Sequence, residues 1–240
     1  MEKKRELSPA GESIVIPPSR GNPPPPKCAE CNDTGWVKVM VPDIAPREEA
    51  TIPTRTEVQR CKCAQRRIRN YKLSQIPERF RDKGLFDYRP ESRDQAEALA
   101  VLQRNPLESY YIFGSYSNGK THLAAGLYRE WITRNLKAEF RTVHDLLQEL
   151  TDSVVHGKVS IVEDAVQYLP RFCLVLDDLD KFKYTDYRAE ILFWLIDHIY
   201  GRKLTLVVTS NYSLTELAQR DLVHPAVIRR LDDHCKVLKV

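Results

Sequence analysis

From Arg93 onward the chain switches between two hydrophobic periods. Arg93–Gln103, Thr121–Arg134 and Tyr187–Tyr200 repeat apolar residues every three or four positions, as amphipathic helices do. Between them lie short, nearly continuous apolar runs at Tyr110–Phe113, Phe172–Leu176 and Leu204–Thr209. Such runs suit strands covered on both faces, the situation in a parallel sheet. The same pattern predicts strands at Glu139–Thr142 and Cys235–Val240, and short helices at Val143–Thr151, Leu214–Gln219 and Pro225–Arg230. Helix and strand alternate, so the expected class is α/β, with helices around a parallel sheet.

The N-terminal part reads differently. Residues 1–27 are proline-rich and polar and end in "GNPPPPK". They are expected to form no packed structure, with the four prolines as a stiff extended linker. A cysteine-bearing segment runs from Cys28 to Cys63. "AQRRIRNYKLSQIPERF" follows, helical to about Gln75, where Pro77 ends the helix. The predicted organisation is an unstructured arm over 1–27, a cysteine-bearing module with a basic helix over 28–75, and an α/β domain over 76–240.

Composition narrows the classes. A hydrophobic share of 42% supports a real core, and a net charge of +4 permits nucleic-acid binding without arguing for it. No apolar run approaches the ~20 residues that span a bilayer. "MEKKRELSPAGES" lacks the apolar stretch of a secretory signal. The cytoplasm is the default expectation. In that compartment the six cysteines are free thiols or metal ligands rather than disulfides.

The chemistry concentrates at three strand ends. Gly114–Thr121, "GSYSNGKT", fits G-x-x-x-x-G-K-[ST] between a predicted strand and a predicted helix, the context of a phosphate-binding loop. Glycines let backbone N–H groups approach phosphate oxygens, and the following helix points its positive end at the same anion. The expected nucleotide contacts are Gly114, Ser115, Tyr116, Ser117, Asn118, Gly119, Lys120 and Thr121, with His122 just inside the helix. Lys120 would reach the β- and γ-phosphates of ATP, and the Thr121 hydroxyl would hold Mg²⁺. "RFCLVLDDLDK" ends a second strand in Asp177, a Mg²⁺ ligand, and Asp178, a general base or water-positioning group. Asp180 reads as an ordinary turn or cap acid. "LTLVVTSN" ends a third strand in Asn211, whose amide can sense the γ-phosphate or the attacking water. In "HPAVIRRLDDH", Arg229 and Arg230 either cap a helix C-terminus or act on a neighbouring subunit's phosphoryl transfer.

Cys28, Cys31, Cys61 and Cys63 form two close pairs about thirty residues apart. Four thiolates so arranged can hold a structural Zn²⁺, with no open position for metal chemistry. "NDTGWV" between them offers Gly35 for a turn and Trp36 for a small core. Arg66, Arg67, Arg69, Tyr71 and Lys72 could follow a phosphate backbone and stack one base, or form a solvated face. Cys173 and Cys235 read as core thiols.

Together these elements resemble an AAA+ ATPase. "GKTHLA", "FRTVHDLLQEL", "LVLDDLDK" and "TSN" are similar to the DnaC/DnaI-type bacterial replicative helicase loaders and their IstB-like relatives. "CNDTGWV", the late "CKC" and "IPERF" resemble the zinc-containing N-terminal part of DnaI-like members. The resemblance implies a P-loop core with strand order 5-1-4-3-2 and no C-terminal lid. It implies ATP-dependent homo-oligomerisation on single-stranded DNA and a zinc module that grips the replicative helicase. It implies a slow ATPase, with Arg230 as arginine finger, Asn211 as first sensor and Ile76–Phe80 near the adenine. Ser117 departs from the family, standing where a third P-loop glycine is usual. An IstB-like helper of a transposase, and a nucleotide-gated adaptor with little turnover, are the alternatives.

Overall fold

The computed structural model describes residues 28–42, 54–155, 173–181 and 184–240. The proline-rich arm assigned to 1–27 lies outside these residues, as does Phe172 at the start of one predicted strand. The division between two compact units falls between Ala64 and Gln65.

In the first unit, β1 (Trp36–Pro42) and β2 (Thr54–Arg60) pair antiparallel, in register from Trp36 opposite Arg60 to Pro42 opposite Thr54. The hairpin is absent from the sequence expectations: Val37, Val39 and Val41 alternate with exposed residues on β1, but β2 carries little apolar pattern. The helix α1 (Lys62–Ser74) begins at the second cysteine pair and crosses the unit boundary.

The second unit continues with single turns at Glu78–Phe80 and Leu85–Asp87, then α2 (Arg93–Arg104), β3 (Tyr110–Phe113) and α3 (Lys120–Thr133). After these come β4 (Ala138–Thr142), α4 (Val143–Val155), β5 (Cys173–Asp177), α5 (Asp186–Arg202) and β6 (Thr205–Ser210). The last elements are α6 (Leu214–Gln219), α7 (Pro225–His234) and β7 (Lys236–Lys239). Local chemistry sets the helix starts. Ser92, Thr185 and Ser213 accept from the third backbone N–H of α2, α5 and α6, and Pro225 opens α7 where no amide is needed.

The five strands β3 to β7 form one parallel sheet in the order β4-β5-β6-β3-β7. Counted within this unit that is 2-3-4-1-5, the expected 5-1-4-3-2 read from the other edge. Alternation along each strand builds two cores. Tyr110, Ile112, Cys173, Val175 and Val207 face the core shared with α2 and α3. Tyr111, Leu174, Leu176, Leu206 and Val208 face the core shared with α4 to α7. Each large apolar side chain so buried contributes roughly 1.5–3 kcal/mol. All five residues of β5 are buried, which is why its sequence is apolar up to the carboxylate. Parallel strands place their C-terminal ends on one edge, so Phe113, Asp177 and Ser210 finish side by side.

Candidate functional site

The loop after β3 turns back over the sheet edge and enters α3. A Cβ at Gly114 would lie 2.0 Å from the Val240 carbonyl oxygen, and one at Gly119 would lie 2.4 Å from the Tyr88 ring, with φ at +81°. Both positions therefore need glycine. Ser117 sits at φ +65°. An L-residue there costs roughly 1 kcal/mol, a cost that the third glycine implied by the resemblance would avoid. Asn118 is turned outward: its Nδ2 donates to the Val240 carbonyl, and its own carbonyl accepts from the Tyr88 hydroxyl. It steadies the loop from behind.

Lys120 is 7% exposed. Its ammonium donates to the carbonyls of Gly114 (2.8 Å) and Ser115 (2.7 Å). Burial lowers its pKa, and the carboxylates of Asp180, Asp178 and Asp177 oppose that shift. Thr121 donates to Asp177 Oδ1 at 3.1 Å, and Thr209 donates to the same oxygen at 2.6 Å. Burial, with the charge of Asp178 next in weight, pushes Asp177 up to about 6. Asp178 has φ +63°, a conformation Asp tolerates better than most residues. Its N–H donates to Thr209 Oγ1, and its Oδ2 pairs with Lys181 Nζ at 2.6 Å.

A cavity of about 380 Å³ opens between these groups, lined by Tyr116, Ser117, Gly119, Lys120, Thr121, His122, Asp178 and Asn211, with Arg79, Phe80 and Lys181. Phe80 stacks on His122 at 5.5 Å, and Arg79 lies over the Phe80 ring. Burial lowers the pKa of His122, which favours the uncharged ring beside Phe80 in an aromatic wall at one end of the cavity. Ile76, from the same expected segment, is instead buried in the core.

Two groups stand elsewhere. Arg230 lies on α7, where Nε contacts Asp197 at 2.6 Å and the guanidinium covers the Phe193 ring at 4.6 Å. It does not line the cavity. The four cysteines of the first unit place their Sγ atoms within 4.8 Å of one another. Cys28 and Cys61 are 3.6 Å apart, and Cys31 and Cys63 are 3.4 Å apart. Four sulfurs at about 2.3 Å from a tetrahedral zinc lie roughly 3.8 Å apart, so the cluster fits such an ion. The backbone of Cys31, then the Cys61 thiol, pulls Cys28 down to about 7, while the other thiols and burial push Cys61 and Cys63 up. Trp36 does not make the expected small core: it is 51% exposed, with Arg60 over its ring. Cys173 and Cys235 are buried in the second unit, as core thiols are.

The IstB-like ATP binding protein family matches residues 56–240. The chain belongs to this family. The family is one of ATP-binding proteins, which agrees with the P-loop geometry. Over 150 residues the chain is 27% identical to the chromosomal replication initiator protein DnaA of Neisseria gonorrhoeae, covering 60% of this chain and 26% of that one. It therefore spans about a quarter of that relative's length. It is 27% identical over 176 residues to the insertion sequence IS21-like ATP-binding protein of Bacteroides fragilis, covering 70% of this chain and 65% of the relative. Among solved structures, the DnaC helicase loader superposes with a TM-score of 0.60 at 23% identity, covering 68% of this chain and 99% of that one. At that identity the likeness speaks for the fold.

Proposed function

We propose that this IstB-like protein is an ATP-hydrolysing loader of the replicative DNA helicase onto single-stranded DNA. The observation that carries the reading is the pairing of a four-thiol unit with a P-loop core whose Lys120, Thr121, Asp177, Asp178 and Asn211 converge. Insertion-sequence relatives favour a second reading, a helper of a transposase. The cysteine unit favours the loader, since zinc ahead of the core belongs to the DnaI-like resemblance.

In this reading Lys120 exchanges its two carbonyl contacts for phosphate oxygens, and the first turn of α3 supplies N–H donors. Thr121 and Asp177 would hold Mg²⁺, which neutralises charge developing on the phosphates. Asp178 takes the proton of the attacking water, with Lys181 occupying its other oxygen. Asn211 orients that water from the adjoining strand. Arg230 leaves Asp197 to meet the nucleotide of a neighbouring copy, so assembly and turnover are linked. The basic face of α1 follows the single strand, and the zinc-bound unit grips the helicase.

The test is capture of the host's hexameric replicative helicase on the immobilised full-length chain. We expect retention with ATP and at least tenfold less with the Asp177→Asn variant. Capture of a transposase instead would support the second reading, and capture of neither would overturn the loader.

Asp177→Asn also separates function from stability. Turnover is expected to fall at least a hundredfold. The fold raises the carboxyl pKa from 3.8 to about 6. The native state thus favours the protonated form, and that stabilisation is lost as pH rises through about 6. The amide never ionises. The variant should therefore exceed the wild type in stability above pH 6, by on the order of 2–3 kcal/mol, with the gap closing toward pH 4. Thermal unfolding at pH 7.5 and pH 4.5 checks this; a gap independent of pH would contradict it.

A further inference from the structure

Asp180, three residues beyond the end of β5, caps no helix among the described residues. Thr185 caps α5, and among the described residues the donors to the Asp180 carboxylate all come from the end of β6. Its Oδ1 accepts from the Ser210 hydroxyl at 2.7 Å and from the Asn211 backbone N–H at 2.7 Å. Its Oδ2 accepts from the Asn211 side-chain Nδ2 at 2.8 Å. Ser210 is fully buried and its Oγ also accepts from the Tyr212 N–H, so the carboxylate is tied to a fixed part of the sheet edge.

We infer that Asp180 is a positioning residue for Asn211, fixing which end of that amide faces the nucleotide. The inference rests on the ATPase reading of the cavity and deepens it. A carboxylate only accepts hydrogen bonds, while an amide has one accepting and one donating end. Asn211 must therefore turn its NH₂ toward Asp180. That leaves Oδ1 and the second N–H for the cavity, where they meet a water or a phosphate oxygen. Without the carboxylate both amide orientations are available, and the share of competent sites falls. Burial-driven packing does not supply this selection, because the two ends of an amide have nearly the same shape.

Asp180→Asn keeps that shape and reverses the selection. Its Oδ1 still serves Ser210 and the Asn211 backbone, but its own NH₂ now faces Asn211, which turns its Oδ1 toward it and its NH₂ to the cavity. The expected result on the full chain is a fall in kcat of at least tenfold, with ATP affinity within about threefold of wild type. Asn211→Ala should lower kcat comparably, and Asp180→Asn combined with Asn211→Ala should lower it no further. A product of the two single effects would mean that Asp180 acts elsewhere and would overturn the inference.

The exchange Asp180→Asn with Asn211→Asp gives a second readout. It keeps a donor–acceptor pair between the positions but presents only a carboxylate to the cavity. Thermal stability should stay near the wild-type value while kcat is low; a normal kcat would mark the pair as merely structural. Lys120→Ala serves as the reference. If Lys120-dependent hydrolysis is present and Asp180→Asn turns over normally, the positioning role falls and the ATPase reading stands. If the wild type shows no Lys120-dependent hydrolysis, both fall.

Discussion

Lys120→Ala is expected to leave a folded protein that no longer holds ATP. The ammonium is buried and is held by two consecutive carbonyls at the start of the loop, those of Gly114 and Ser115. In the proposed reading, phosphate oxygens replace those carbonyls as partners when nucleotide enters. Two charge-assisted hydrogen bonds at about 1.5–3 kcal/mol each correspond to a hundredfold or greater loss of affinity. Stability should change much less. Alanine abandons the two carbonyl contacts, but it also removes a cation whose lowered pKa records the cost of burial. The positions that need glycine, Gly114 and Gly119, are unaltered, so the loop keeps its path. Calorimetric titration with ATP, set beside a thermal melt, checks both halves. Undiminished affinity in a folded variant would remove Lys120 from the site, and the phosphate-binding reading with it.

The fold was legible where one period dominated. Tyr110–Phe113 was read at its observed limits, because a strand buried on both faces is apolar throughout and the next residue is a glycine. Leu214–Gln219 was equally clear, marked by the Ser213 and Glu216 capping box. The helix at Pro225 was read short. Its last turn, Leu231–His234, is largely polar, and only the fully buried Leu231 carries the apolar pattern on into it. The β1–β2 hairpin was missed because one of its strands, "TRTEVQR", carries little apolar pattern. A strand that buries nothing on one face leaves only a weak signal.

At the site, residues adjacent in sequence were legible and cross-strand pairs were not. The loop pattern identifies Lys120 and Thr121, and an apolar run tipped by aspartates identifies Asp177 and Asp178. That Thr209 bridges Asp177 and the Asp178 amide depends on the register of β5 against β6, which no local pattern encodes. The role of Asp180 is hidden in the sequence for the same reason. Its partners are some thirty residues away, and Asp is common in turns. The one available signal was a third aspartate in "LDDLDK", following the two already assigned.

Removing zinc is expected to unfold the first unit and spare the second. Among the described residues of this unit the only buried side chains are Cys31 and Cys61. Trp36, Met40 and Val58 are each more than half exposed, so the described residues form no hydrophobic core that offsets chain entropy. A two-stranded hairpin by itself is marginal in water. A structural zinc contributes an apparent 10–16 kcal/mol in small modules, far more than β1 and β2 supply. Cys61→Ser removes the most deeply buried ligand, leaves three, and places a hydroxyl among the remaining thiols. We expect one zinc per wild-type chain by metal analysis and less than a tenth of that in the variant. The Trp36–Arg60 strand pairing should then be lost, seen as rapid proteolysis within residues 36–60. Every residue lining the nucleotide cavity belongs to the second unit, so ATP affinity should stay within about twofold of wild type. A zinc-free chain that keeps its hairpin would show that the thiols are not what folds this unit. Joint loss of ATP binding would show instead that the P-loop core depends on it.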